Sequence, residues 1–230
     1  MSEWWTYTLQ DFLLFSPRTY YRLFELYNRD LWPAQILALG AGVAILLLLR
    51  RGGAGPERAI PTILAGGWLW VAWGFHFQRY ATINWAATWF AVAFAAEALL
   101  LIWTGVIRGR LAFGAAGSAI GRAGLGFVLF ALVVQPLLGP LAGRDWVQAE
   151  TFGVAPDPTV LATLGILLLA TNRVHWGLLS IPVAWCVVTG ATLWAMASPD
   201  APVMPLAALL CLVLAVRKTR CAGAYAGPEG

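Results

Sequence analysis

Glu97 stands among Ala93, Ala95, Ala96 and Ala98, near the middle of an apolar run from Ala86 to Ile107. A carboxylate at that depth in hydrocarbon is costly to keep ionised, so it must be neutral, paired or turned to water, and it is a functional candidate by default. The plainer reading is a protonated side chain that donates one hydrogen bond to a neighbouring helix. Gln135-Pro136 falls in the outer half of another apolar run, at broadly comparable depth if each residue rises about 1.5 Å. Proline frees the carbonyl one turn earlier, and that carbonyl needs a partner in protein or in a wet cavity. Pro182, Cys186 and Thr189 place a kink and two small polar groups on one helix face. Ordinary small-residue packing would account for these features. If they serve chemistry, Glu97, Gln135 and Thr189 line a polar cavity near the midplane.

His76-Phe77-Gln78-Arg79-Tyr80 closes the second apolar run at its outer end. A histidine there titrates near neutral pH and an arginine holds anions, so His76 and Arg79 are the candidate mouth of an outward-facing site. Arg and Tyr at such a position are equally ordinary interfacial anchors. Asp157-Pro158-Thr159 reads as a helix N-cap followed by proline at the first helical position.

Several sharper functions lack their residues. Lys218 is the single lysine and lies past the last apolar run, so no intramembrane amine is present for a Schiff base. His76 and His175 fall near opposite faces and cannot share a zinc or a haem. Met196 and Met204 are isolated, which argues against a copper site. Cys186, Cys211 and Cys221 form no C-x-x-C pair. The Gly114 to Gly121 stretch lacks the Lys and Ser/Thr of a phosphate-binding loop. No nucleophile and base or set of metal ligands assembles at one depth, so no catalytic residue, metal or cofactor is expected and an enzyme ranks behind other readings.

The elements that must position these residues follow from composition. The 230 residues are 60% hydrophobic and 11% charged, whereas a soluble domain carries about 25% charged residues. Seven apolar windows approach the roughly 20 residues that cross a bilayer: 33–49, 60–78, 84–107, 123–139, 157–171, 174–197 and 202–216. Many of the 13 tryptophans sit towards the ends of these windows, as in an aromatic belt. Ten basic and two acidic residues fall on the side holding Arg50, Arg110 and Lys218, against five basic and eight acidic on the other. By the positive-inside rule this places the N-terminus outside and the C-terminus in the cytoplasm. The formal net charge of +4 thus reflects topology and attraction to anionic headgroups; no basic patch with interleaved aromatics suggests nucleic acid.

The expected fold is therefore an all-α polytopic transmembrane helix bundle of about seven spans over 32–217, preceded by an amphipathic interfacial segment over 1–31 and followed by a short cytoplasmic tail, 218–230. Thr8 with Asp11 resembles a capping box. Ser16-Pro17 then opens a helix in which Tyr20, Phe24, Tyr27 and Leu31 form an apolar stripe opposite Arg18, Arg22, Glu25 and Arg29. Such a helix lies flat in the outer interface with its rings among acyl ends, as an anchor, a lid on the bundle or a partner surface. The first 15 residues contain no Lys or Arg, so no cleaved signal peptide is expected.

The block from Trp4-Trp5-Thr6-Tyr7-Thr8-Leu9 through Phe15-Ser16-Pro17-Arg18-Thr19-Tyr20-Tyr21-Arg22 to Asn28 resembles the opening of an uncharacterised family of bacterial polytopic membrane proteins. Ile83-Asn84 and Phe152-Gly153-Val154-Ala155-Pro156-Asp157-Pro158-Thr159 extend that likeness along most of the chain. The resemblance implies a bacterial inner-membrane location and carries no site residues over.

Two function classes lead. A transporter or permease for a small solute explains Glu97, the Gln135-Pro136 break and an outer mouth. A non-enzymatic accessory or scaffold that contacts another membrane protein explains the Trp-rich surface without any pathway. A membrane-embedded enzyme stands third.

Overall fold

Ser16 opens the first helix of the computed structural model, which describes residues 14–114, 117–171 and 174–225, the last four as backbone only. The Ser16 hydroxyl accepts from Thr19 N at 3.2 Å, and Pro17 supplies a pre-set φ in the first turn of α1 (Pro17–Leu31). The Thr8–Asp11 capping box lies outside the described residues. The apolar stripe of α1 is present, but its rings meet the protein's own core instead of acyl chains. Phe24 packs on Phe75 with ring centroids 4.8 Å apart, and the Tyr27 hydroxyl donates to Val154 O at 3.0 Å. The opposite face is charged: Arg22 and Arg29 both reach Glu25, at 2.5 and 2.8 Å. Burying the rings against protein removes them from water as completely as lipid would, and it adds ring contacts that lipid lacks.

Seven helical rods follow among the described residues. They are α2 (Ala34–Arg51); α3 (Ala54–Trp70), continued as π-helix over Val71–Phe77; α4 (Ala87–Leu101), continued as π-helix over Ile102–Ile107; α5 (Ala119–Leu129), joined through a π segment to α6 (Gln135–Leu141); α7 (Pro156–Leu169); α8 (Trp176–Ala195); and α9 (Val203–Tyr225). No strand occurs among the described residues; a single antiparallel bridge, Phe113 to Ala170, ties two connections together. The rods α2, α4 with its π end, α5–α6 and α8 are long and apolar enough to cross a membrane. α3 carries Glu57 and Arg58, and α9 carries Arg217, Lys218 and Arg220; neither reaches that measure.

α7 is the axis of the bundle. All of its 14 residues are buried, the signature of a helix apolar all round. Gly124 of α5 and Gly165 of α7 permit a close backbone contact: a Cβ on Gly165 would lie 2.5 Å from Gly124 O, and one on Gly124 2.7 Å from Gly165 O. Small residues at such a crossing let two backbones touch, which is how apolar helices associate without a hydrophobic drive. At 14 residues α7 falls short of the roughly 20 needed to span. The segment that precedes it is buried in the bundle as well, at Phe152, Val154 and Ala155. The N-cap is Ala155 and Pro156 occupies the first turn, so Asp157 is not the cap the sequence suggested; it sits inside the first turn.

The connections segregate to two ends. At one, Tyr21 meets Ser198 at 2.8 Å, the Asn28 amide donates to Val147 O at 2.7 Å, and Arg79 pairs with Asp30 at 2.6 Å. At the other, Thr171 N donates to Ala112 O at 2.7 Å, His175 lies 3.1 Å from Arg110 O, and Lys218 donates to Leu168 O at 3.1 Å. Arg50 and Arg51 end α2 beside Phe113 and Gly114 at this second, basic end.

Candidate functional site

The π-helical end of α3 sets the position of His76. A π segment places an extra residue in the turn, so the residues after Val71 are rotated relative to an α-helical continuation; such segments are rare and concentrate at functional sites. His76 consequently points inward and is fully buried. Its ring stands edge-on to Phe94 and Trp185, with centroids 4.4 and 4.9 Å away. Neither ring nitrogen has a hydrogen-bond partner among the described residues. His76 therefore does not form an outer mouth with Arg79, whose guanidinium faces outward to Asp30.

Glu97 lies one turn beyond Phe94 on the buried face of α4 that also holds Ala98 and Leu101. It too is fully buried, and neither carboxylate oxygen has a partner among the described residues. Phe94, which meets the edge of His76, also touches Trp68 with ring centroids 4.3 Å apart. Trp68 is anchored in turn, its indole N–H donating to Thr163 Oγ1 of α7 at 2.9 Å.

Gln135 and Thr189 are buried as expected, but neither joins Glu97. Thr189 Oγ1 donates to Asp157 Oδ2 at 3.1 Å. Gln135 Oε1 is buried without a partner at the start of α6, immediately after the π segment Phe130–Val134. The π segment absorbs the break that Pro136 imposes. α4 packs on α3 and α8, whereas α5 and α6 pack on α7. No hydrogen bond among the described residues joins the three: Thr189 is held by Asp157, and Glu97 and Gln135 Oε1 are each left without a partner.

A second polar cluster sits under the end of the bundle that holds the Tyr21–Ser198 and Arg79–Asp30 contacts. Asp157 Oδ1 accepts from Trp185 Nε1 at 2.7 Å, so its two oxygens hold one indole and one hydroxyl of α8. Glu150 is buried nearby with Oε2 unpartnered. Burial, followed by the Asp157 carboxylate, pushes the Glu150 carboxyl well above the ordinary carboxylate range, with Arg144 pulling the other way. Arg144 forms an ion pair with Asp200, and its guanidinium stacks 4.6 Å over the Tyr21 ring. Ser198 donates to Asp200 at 2.5 Å. Above this cluster an open cleft of about 960 Å³ runs between α1 and the connections at the same end, with Arg18, Tyr21, Gln78, Arg79 and Arg144 among its walls.

A family model described as a family of unknown function, DUF6064, matches residues 18–226, which takes in α1 from its second residue and every later helix above. The chain belongs to the DUF6064 family. No curated protein and no solved structure matches it.

In this DUF6064 chain, sequence reasoning missed Asp157, Glu150 and the Arg144–Asp200 pair as members of one cluster. One signal was available: the helix that begins at Pro156 offers only Thr159 and Thr163 as polar residues after Asp157. A helix with no polar face is buried on all sides, so a carboxylate in its first turn is buried too. Among the described residues no group of three or more His, Cys, Asp or Glu side chains comes together as a metal site.

Proposed function

We propose that this DUF6064 chain is a multi-pass protein of the bacterial cytoplasmic membrane that carries a small solute in a proton-linked cycle, with His76 and Glu97 as the proton-carrying groups. The observation that carries this reading is the complete burial of both, with no partner for either carboxylate oxygen or either ring nitrogen. Leaving such groups unpaired costs stability, and a fold keeps them where they serve a cycle. All seven rods cross, the acidic end facing out and the basic end in, in keeping with the positive-inside rule.

Solute and protons enter at the outer cleft, whose volume of about 960 Å³ suits a small molecule. A line of groups leads inward from it. Glu150 and Asp157 lie beneath the cleft, Trp185 links Asp157 to His76, and His76 touches Phe94, three residues before Glu97 on α4. His76 accepts a proton on a ring nitrogen lone pair and Glu97 accepts one on a carboxylate oxygen. Neither transfer needs a cofactor. The π segments at His76 and before Gln135 are where the rods can change register, because a π turn can migrate along a helix at little cost in hydrogen bonds.

A second reading, an accessory subunit of a membrane complex, is favoured by the outer tryptophans Trp32, Trp85, Trp89, Trp146 and Trp194, each more than 60% exposed. The two separate in proteoliposomes adsorbed on a solid support and given a rapid external pH jump. Proton carriage produces a transient current from wild type that vanishes in Glu97→Gln and in His76→Phe. A wild type without a transient, or a Glu97→Gln trace equal to wild type, would overturn proton carriage and leave the accessory reading.

A further inference from the structure

The basic end holds a groove that the proton line does not use. α2 approaches the α5–α6 rod at Gly42, where an added Cβ would lie 2.3 Å from Leu132 Cδ2. Towards the basic end the rods part, leaving a groove of about 470 Å³ walled by Leu46 and Leu49 of α2 and Leu125 and Leu129 of α5. Arg50 and Arg51 close its end. Both are exposed, and neither has an ion-pair or hydrogen-bond partner among the described residues.

The groove is thus amphipathic along its length. Its shaft is leucine and its rim is two adjacent guanidinium groups, which bind phosphate in a fork geometry that a single ammonium cannot match. The rim also lies at the C-terminus of α2, where the helix dipole holds the arginines in place. A soluble anion would use the rim and leave the shaft empty. A neutral lipid would fill the shaft and bring a headgroup cation against the arginines. An anionic phospholipid satisfies both parts.

We propose that this groove binds one anionic phospholipid from the leaflet at the basic end, an acyl chain between Leu46, Leu49, Leu125 and Leu129 and the phosphate on Arg50 and Arg51. The proposal rests on the membrane reading above and is independent of proton carriage. It is tested on the purified full-length protein by native mass spectrometry, with phosphatidylglycerol and phosphatidylcholine of identical chains added in turn. The expected result is retention of phosphatidylglycerol in roughly thirtyfold preference, on the scale expected of two interfacial arginines. Arg50→Gln with Arg51→Gln should abolish the preference, and Arg217→Gln with Arg220→Gln, at the same end, should keep it. Leu129→Trp, which fills the shaft and leaves both arginines, should also abolish retention. Equal loss in both arginine pairs would mean a general surface field and would overturn the site. Glycerol 1-phosphate competing as well as the full lipid would reduce it to an anion site. Retention of neither lipid, or equal retention of both, by wild type would overturn the groove; the membrane reading fails separately if the protein is recovered in the soluble fraction of lysed cells instead of the membranes.

Discussion

His76 and Trp185 meet edge to face with ring centroids 4.9 Å apart, and the same indole donates its N–H to Asp157 at 2.7 Å. One aromatic side chain therefore touches the buried histidine on one side and the buried aspartate on the other. Trp185→Phe keeps the ring contact and removes the donor, leaving Asp157 with Thr189 alone. The expected cost is roughly 1–3 kcal/mol, the range for a hydrogen bond to a charged or buried acceptor. Unfolding titrations in detergent measure it; a variant as stable as wild type would mean the indole N–H contributes nothing to holding Asp157.

Glu150 makes stability fall with pH. Its carboxyl is pushed above the ordinary value of about 4.5 by burial and then by Asp157, so the folded chain holds a proton that the unfolded chain releases. Stability is intact below about pH 4.5 and declines as pH rises from there towards the raised folded value. Glu150→Gln should remove that decline, matching wild type at about pH 5 and exceeding it at about pH 8. Melting curves at the two pH values check this, and parallel curves for the two proteins would contradict it.

Sidedness is checked by labelling from outside. With the exposed Cys221 replaced by serine, a cysteine at Asp145 should react with a membrane-impermeant thiol reagent in intact cells, and one at Gly117 should not. The reverse pattern would invert the orientation.

How far the sequence reached is clearest at particular elements. α1 was readable because Ser16-Pro17 and a one-turn periodicity are local signals, although what its rings would pack against was not. The helical rods were readable as apolar runs, and the two ends of the bundle as alternation of charge. Burial of Glu97 followed from its neighbours in the chain. What could not be read were relations across the bundle. The turn of His76 into the core depends on a π segment that leaves no compositional mark, since Val71–Phe77 looks like any apolar run. Glu97, Gln135 and Thr189 lie at similar estimated depths, but depth does not reveal which helices are neighbours. That Asp157 serves as an acceptor for α8 instead of a cap, and that Arg144 finds Asp200 56 residues away, are long-range pairings with no local signature.

The central claim is that Glu97 is kept for a proton-linked cycle and not for the fold. It is tested most directly by the unfolding free energy of Glu97→Leu, a substitution of similar size. With no partner among the described residues for either carboxylate oxygen, the account predicts that leucine stabilises the protein by roughly 1–3 kcal/mol, the penalty of an orphaned buried polar group. A loss of about 0.6 kcal/mol or more, the scale of an interhelical hydrogen bond in lipid, would show that Glu97 is a structural donor and would contradict the account.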